Sequence, residues 1–252
     1  MAAHDYTLVV PCYQEEEALP GLQPVLAALP AREIVCVDDG STDGTARLLD
    51  ALARADARVR IVTHPRNRGV GAAMRSGLQA ARCEVVVVYD ADRGYAPEHV
   101  QRLVEAVCAG ADVATASPLA AAGSMEGVPA WRRALTRAAA ACYRTVLGRR
   151  ARGVRTFTCA FRAYGPRARS CCLPAARGFP AAAEMLGRAL LAGLRVEEVP
   201  AALRPRTEGR SKMRVGRALL GHAAALGRLL LLRLRPSRKG LAEGGARPSP
   251  RG

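Results

Sequence analysis

Hydrophobic and polar positions alternate in blocks along the first half of the chain, and the blocks predict strands and helices in turn. Short apolar runs rich in β-branched residues predict four strands, at 7–10, 33–37, 59–62 and 85–89. Helix-like stretches lie between them, at 16–28, 45–54 and 72–81. Because the apolar runs are continuous and do not alternate with polar residues, they are typical of a parallel sheet covered by helices on both faces. The pattern therefore predicts an α/β fold.

Polar and turn-forming residues gather where three of these strands end. Residues 11–15, 38–41 and 90–92 each directly follow a predicted strand. In an open parallel sheet, ligands bind at the carboxyl ends of the strands, so we expect the three loops to open on one edge and to form a site. The chain contains neither a GxGxxG nor a GxxxxGK[ST] motif, which removes the sequence support for a dinucleotide site or a P-loop.

The second half of the chain predicts additional strands and helices. Further strands are expected at 113–116, 158–164 and 196–199, and further helices at 131–147 and 181–192. The apolar segment 213–235 favours a helix, but arginines interrupt it and its longest stretch without charge is ten residues. A membrane-spanning helix needs roughly twenty apolar residues, so this segment is not predicted to span a membrane.

Four of the five arginines of this last helix share one side. At about 100° per residue, Arg214, Arg217, Arg228 and Arg235 fall within about 60° of one another, while leucines lie elsewhere. The pattern predicts a basic amphipathic helix. It either lies in the interface of an anionic membrane or covers the catalytic domain. Residues 236–252 are rich in Pro, Gly and Arg and are expected to form a disordered tail.

Composition limits the possible partners. The 252 residues are 50% hydrophobic and carry a formal charge of +16, and almost all of the basic residues are arginines. The stretch 204–252 holds thirteen basic residues against Glu208 and Glu243, so most of the charge lies at the end of the chain. Aromatic residues make up only 4% of the chain, too few to indicate a surface on which the bases of a single-stranded nucleic acid stack. No nucleic-acid partner is therefore predicted. The first residues lack the pattern of a secretory signal, and the protein is expected to stay inside the cell.

Asp90 and Asp92 are separated by one residue at the end of a predicted strand. Two carboxylates in this position can bind one hard cation, which takes its other ligands from water and a diphosphate. Such a cation neutralises the charge of a leaving nucleoside diphosphate. Alternatively, Asp90 caps the following turn and Asp92 is solvated. The D-x-D pattern alone does not decide between the two.

Four stretches taken together are more specific: VVPCYQEEEALP (9–20), IVCVDDGSTDGTARLL (34–49), NRGVGAAMRSGL (67–78) and YDADRGYAPEHV (89–100). Their order and spacing over residues 6–116 resemble the nucleotide-sugar-binding half of family 2 glycosyltransferases of the GT-A fold. The resemblance implies that Pro11, Tyr13 and Glu15 line the base and ribose pocket. It further implies that Asp38, Asp39 and Ala91 belong to the nucleotide-sugar site, and that Asp90 and Asp92 hold Mg²⁺ or Mn²⁺, Asp92 with a catalytic role.

The second half is similar to polyprenyl-phosphate sugar synthases such as dolichol-phosphate mannose synthase. The segments that carry this similarity are WRRALTRA (131–138), TCAFRAY (158–164), GFPAAAEML (178–186), RVEEVP (195–200) and RPRTEGRSKM (204–213). By resemblance, a basic loop closes over the donor diphosphate and the acceptor phosphate, and it includes Arg204, Arg206, Arg210, Ser211 and Lys212. Arg132 and Thr136 match further phosphate contacts. One departure is Pro118, which stands where an arginine is usual in this group.

The mechanism depends on the acceptor. A lipid phosphate is already anionic and can attack the anomeric carbon without a protein base, whereas a hydroxyl acceptor needs a general base within hydrogen-bond reach. Glu184 is the best candidate for such a base by position, although it is equally well explained as a supporting or surface residue. The prediction is an inverting, metal-dependent transferase that moves a hexose from a UDP- or GDP-sugar to a polyprenyl phosphate. The alternatives are a soluble transferase with a hydroxyl acceptor and Glu184 as base, and a non-catalytic sugar-nucleotide binder.

The predicted organisation follows the motifs. Residues 1–204 form the GT-A domain, with a nucleotide-sugar half (1–116) and an acceptor half (117–204), and residues 205–235 form the basic loop and amphipathic helix. We expect the protein at the cytoplasmic face of the membrane, attached through this helix to the membrane surface or to a small membrane partner protein. The sequence does not identify the sugar or the base.

Overall fold

A seven-stranded sheet forms the centre of the protein. The computed structural model describes residues 5–125, 127–204 and 215–234. In chain order the strands are β1 (Tyr6–Cys12), β2 (Glu33–Asp38), β3 (Val59–Thr63), β4 (Val85–Val88), β5 (Val113–Ser117), β6 (Arg162–Tyr164) and β7 (Val196–Pro200). Their order across the sheet is β3-β2-β1-β4-β6-β5-β7. All neighbouring strands are parallel except β6, which runs antiparallel to β4 and β5.

Helices cover both faces of this sheet. The described residues form α1 (Leu19–Ala28), α2 (Thr45–Ala55), α3 (Val70–Ala80), α4 (Glu98–Cys108), α5 (Ala130–Leu147), α6 (Pro166–Cys171), α7 (Ala181–Leu191) and α8 (Val215–Leu234), with a short 3₁₀ turn at Gly148–Ala151. Successive side chains of a strand point to opposite faces. Accordingly, Leu8 and Val10 of β1 pack in the cluster with α1, α2 and α4, and Val9 packs in the cluster with α3, α5, α7 and α8.

The predicted α/β architecture with a mostly parallel sheet is confirmed, but several elements differ. Helices α4 and α6 were not predicted, although Val100, Leu103, Val104 and Val107 of α4 have helical spacing and are buried. Helix α1 begins at Leu19 and not near residue 16, and Pro20 occupies its first turn, where proline is tolerated. The strand expected at 158–164 is reduced to β6.

Arg162 of β6 is completely buried and joins three parts of the fold. Its Nε donates to the Thr115 hydroxyl of β5 at 2.9 Å, and its other guanidinium nitrogens donate to the carbonyls of Ala182 in α7 and Phe157.

Helix α8 packs against α5 and α7 and does not stand away from the domain. Leu229 is completely buried and fits against Gly187 of α7, where a Cβ atom would lie 2.5 Å from a Leu229 methyl carbon. His222 and the Tyr143 hydroxyl of α5 are hydrogen-bonded at 2.8 Å. The sequence left two alternatives for this helix, and its packing matches the one in which the helix covers the rest of the domain.

Substitution of two helical glycines by alanine tests how closely α3 packs on the sheet. A Cβ atom on Gly77 of α3 would overlap Cγ1 of Val9 in β1, whereas a Cβ on Gly227 of α8 would meet open space. We expect Gly77→Ala to lower the free energy of unfolding by about 1–3 kcal/mol, because the β-branched Val9 has little freedom to move. Gly227→Ala is the matched control and should raise it by roughly 0.5–1 kcal/mol. Chemical denaturation measures both, and equal effects would contradict the close packing of α3 on β1.

Candidate functional site

One large cavity opens at the carboxyl ends of β1, β2 and β4. Its volume is about 940 Å³. Strands β1 and β2 end at the same level, since Cys12 lies opposite Asp38, whereas β4 ends earlier, with Val88 opposite Val9. The structure thereby brings most of the predicted donor-site residues to this cavity: Pro11, Tyr13, Glu15, Asp39, Asp90, Ala91 and Asp92.

The loops after β1 and β2 are fastened to each other. The Gln14 carboxamide oxygen accepts hydrogen bonds from the backbone N–H groups of Thr42 and Asp43, at 2.9 and 3.1 Å. The backbone N–H of Gln14 donates to the Ser41 hydroxyl at 3.0 Å, and that of Glu15 donates to the Thr45 hydroxyl at 2.8 Å. Tyr13 and Glu15, which lie on either side of Gln14, are therefore held at the cavity by the neighbouring loop.

Asp39 organises a third segment of the cavity wall. Its carboxylate pairs with Nδ1 of His64 at 2.6 Å and accepts from the backbone N–H groups of Arg68 and Gly69, at 3.0 and 2.7 Å. Nε2 of His64 is in turn hydrogen-bonded to the Ser76 hydroxyl at 2.9 Å. This network holds the 66–69 segment in place, and that segment contributes Asn67 to the cavity.

Asp38 differs from its neighbour. It is buried, its carboxylate accepts from the backbone N–H of Ser41 at 3.0 Å, and it is not among the described residues that line the cavity. This hydrogen bond to Ser41 stabilises the turn that follows β2. Gly40 completes this turn with a φ of 72°, a conformation in the left-handed region that favours glycine.

The loop after β4 presents Asp90 and Asp92 to the cavity. Arg93 has a φ of 53°, and its guanidinium donates to the Gly21 carbonyl at 3.1 Å, which ties the loop to α1. Asp92 accepts from the backbone N–H of Gly94 at 3.1 Å. Within the described residues no group of three or more His, Cys, Asp and Glu side chains has the arrangement of a metal site. Two carboxylates suit a hard cation that takes its other ligands from a diphosphate and water.

Residues 175–180 and α8 form another part of the cavity lining, which we call the basic wall. It contributes three arginines, Arg177, Arg217 and Arg228, together with small residues of α8. None of the three was predicted as a site residue. The clustering of Arg217 and Arg228 on one side of the helix was the available signal, but the sequence alone did not show that this side faces the cavity.

Glu184 lies behind this wall and is completely buried. Its carboxylate accepts from the guanidinium groups of Arg188 and Arg228, at 2.8 and 2.9 Å, and from the backbone N–H groups of Ala175 and Ala176, at 3.3 and 2.8 Å. Burial on its own raises the pKa of this carboxyl group, but the hydrogen bonds from Arg228, Arg188 and Ala176 outweigh it and hold the pKa below the usual range. Glu184 is therefore ionised at neutral pH.

The remaining predicted phosphate contacts are not at the cavity or are not described. Arg132 and Thr136 of α5 are not among the described residues that line it. The Arg132 guanidinium lies 5.3 Å from the ring centre of Trp131, and the Thr136 hydroxyl donates to the Arg132 carbonyl at 3.0 Å. Arg206, Arg210, Ser211 and Lys212 lie outside the described residues, so the predicted closing of the basic loop stays a prediction.

The sequence of the chain is similar to that of characterised transferases over most of its length. The family Glycosyl transferase family 2 matches residues 7–168. The chain is 37% identical over 215 residues to polyprenol monophosphomannose synthase of Mycolicibacterium smegmatis, a match that covers 82% of this chain and 80% of the relative. It is 32% identical over 213 residues to undecaprenyl-phosphate mannosyltransferase of Micrococcus luteus, with 82% and 87% covered.

Solved structures agree on the fold. Glucosyl-3-phosphoglycerate synthase from Mycobacterium tuberculosis, in complex with Mn²⁺, UDP and glucosyl-3-phosphoglycerate, superimposes with a TM-score of 0.70 at 17% sequence identity, covering 94% of this chain and 82% of that one. This similarity confirms the GT-A fold. The resemblance to family 2 and to its polyprenyl-phosphate sugar synthases is confirmed by the sequence matches. The chain belongs to glycosyltransferase family 2.

Proposed function

We propose that this glycosyltransferase moves a hexose from a nucleoside diphosphate sugar to a polyprenyl phosphate and inverts the anomeric carbon. The observation that carries the proposal is the charge of the cavity lining, which combines the carboxylates of Asp90 and Asp92 with the guanidinium groups of Arg177 and Arg217. A donor held with a cation beside the carboxylates leaves the basic wall for an anionic acceptor. The relatives from M. smegmatis and M. luteus are named as polyprenyl-phosphate mannosyl enzymes, which supports this acceptor class.

On the donor side, we assign the nucleoside to the pocket lined by Pro11, Tyr13, Glu15 and Asp39. Asp90 and Asp92 would hold Mg²⁺ or Mn²⁺, which supplies positive charge next to the diphosphate. UDP and GDP both remain candidates for the nucleotide. Because Asp39 already accepts bonds from His64 and from two backbone N–H groups, its contribution includes keeping the 66–69 segment in position.

The acceptor explains why no base is required. An oxygen of the acceptor phosphate forms the bond to the anomeric carbon, while the bond from that carbon to the diphosphate oxygen breaks and its electron pair leaves with the nucleoside diphosphate. No proton has to be removed from the acceptor. Glu184 accepts hydrogen bonds from two arginines and two backbone amides, which makes it a poor proton acceptor and gives no support to the alternative with a hydroxyl acceptor.

For attachment to a membrane, we propose the exposed face of α8. Five leucines on this face are between 42% and 75% exposed: Leu219, Leu220, Leu230, Leu231 and Leu234. They span about 120° of the helix at 100° per residue, and the positions among them are Gly216, Ala223 and Gly227. An uncharged leucine face of this kind suits the boundary between lipid head groups and acyl chains. Among the described residues, no helix has the length and apolar character required to cross a bilayer.

The first prediction for this function concerns product release. We expect release of nucleoside diphosphate from one of a panel of UDP- and GDP-sugars to require both a short polyprenyl phosphate and Mn²⁺ or Mg²⁺. Asp92→Asn should lower the rate by roughly a hundredfold, since the cation contributes several kcal/mol of charge stabilisation. Asp50→Asn, at an exposed position of α2, is the matched control and should leave the rate unchanged. Release that proceeds equally without the lipid would contradict the proposed acceptor.

The second prediction concerns the leucine face. The triple variant Leu220→Gln, Leu231→Gln, Leu234→Gln should lose most of its binding to vesicles that contain anionic lipid, measured by co-sedimentation, because each substitution removes apolar area from the proposed contact. Since the three side chains are exposed, the thermal unfolding of the variant should stay close to that of the parent chain. Undiminished vesicle binding by a folded variant would rule out this face as the attachment surface.

A further inference from the structure

Two of the three arginines on the basic wall of the cavity have no side-chain partner among the described residues. Arg228 is engaged by Glu184, whereas the structure shows no ion pair or side-chain hydrogen bond between Arg177 or Arg217 and any other described residue. Both side chains are exposed and line the cavity. Arginine presents several N–H donors in a planar group that matches the oxygens of a phosphate. These two side chains are thus available to a ligand.

The backbone around Arg177 is held at several points. Its carbonyl accepts from the backbone N–H of Gly71 at 2.6 Å, at the start of α3. A Cβ atom on Gly69 would lie 2.5 Å from the same carbonyl oxygen, so the close approach requires glycine there. The N–H groups of Ala175 and Ala176 are bound by Glu184. The Arg177 side chain therefore extends into the cavity from a fixed segment.

Arg217 is positioned by the packing of α8. The helix is held by the Glu184–Arg228 pair, by Leu229 against Gly187, and by the hydrogen bond between His222 and Tyr143. Arg217 and Arg228 project from the side of α8 that faces the cavity, next to its exposed leucine face. A lipid whose chain runs along the leucines would bring a phosphate head group within reach of Arg217.

Among the arginines that line the cavity, Arg228 is paired with Glu184, which leaves Arg177 and Arg217 as the candidates for binding an anion. Arg132 is not among the described residues of the lining. We propose that Arg177 and Arg217 together bind the phosphate of the acceptor, a phosphomonoester of an isoprenoid alcohol, and that Glu184 is a positioning residue that holds both elements that carry them. The inference rests on the proposed function and assigns its acceptor subsite.

The experiment separates the acceptor phosphate from the donor diphosphate, which offers the same chemistry. Arg177→Gln and Arg217→Gln are assayed with geranyl phosphate as a soluble acceptor, and donor affinity is measured by calorimetry without acceptor. We expect each variant to lower kcat/KM for the acceptor roughly tenfold or more, because a charge-assisted hydrogen bond is lost. The Kd for the donor should change less than about twofold, within the scatter of an uninvolved site. Arg54→Gln, at an exposed position of α2, is the matched control.

Glu184→Gln tests the positioning role. It preserves the shape of the side chain and removes its charge, so we expect kcat/KM for geranyl phosphate to fall while the shape of the pH–rate profile is kept. A general base would instead lose kcat roughly a hundredfold or more, together with the acidic limb of the profile. Combining Glu184→Gln with Arg217→Gln should cost less than the sum of the two single effects, because both act on the same phosphate contact.

The possible results of these experiments test the acceptor subsite separately from the proposed function. If the parent chain transfers sugar to geranyl phosphate and neither arginine variant changes the acceptor kcat/KM, the subsite is wrong and the function stands. A loss of donor affinity equal to the loss of acceptor kcat/KM would assign the arginines to the donor. If the parent chain transfers nothing, titration of geranyl phosphate in the presence of UDP or GDP and Mn²⁺ decides: binding that both arginines support keeps the subsite, and its absence overturns it.

Discussion

The buried carboxylate of Glu184 is the interaction on which the shape of the cavity depends. Ionised and completely removed from solvent, it is stable only because two guanidinium groups and two backbone amides compensate its loss of hydration. These hydrogen-bond donors belong to three parts of the chain. Arg188 lies on the same helix as Glu184, Ala175 and Ala176 lie in the segment before that helix, and Arg228 lies on α8. One carboxylate therefore fixes the relative positions of two cavity-forming elements.

The strand-end loops of the cavity are held by hydrogen bonds between backbone N–H groups and side chains. Gln14 and Asp39 each accept two such bonds from a neighbouring segment, which holds the loops after β1 and β2 in position. The two parts of the lining thus differ in how they are built. The strand-end loops follow adjacent strands of the sheet, whereas the basic wall joins the 175–180 segment to α8 through Glu184.

This difference explains how much the sequence revealed. The four parallel strands β1 to β4, the three strand-end loops and seven residues that line the cavity were predicted, because strand ends and turns are local features of the chain. The basic wall was not, since the partner of Glu184 on α8 lies 44 positions away. A glutamate on an alanine-rich helix has the same local pattern whether it acts as a base or holds two arginines. The burial of Arg162 was likewise not predicted, because two of its three oxygen partners, on Thr115 and Ala182, lie 47 and 20 positions away.

The position of α8 in the chain has a consequence for synthesis. Domains form as units while the chain emerges from the ribosome, beginning with the N-terminal part. The strand ends that carry Tyr13, Asp39, Asp90 and Asp92 are all made before residue 93, but Arg217 and Arg228 emerge more than a hundred residues later. A nascent chain can therefore form the strand-end part of the cavity while Glu184 still lacks Arg228. Until α8 docks, the cavity lining lacks two of its three arginines, Arg217 and Arg228.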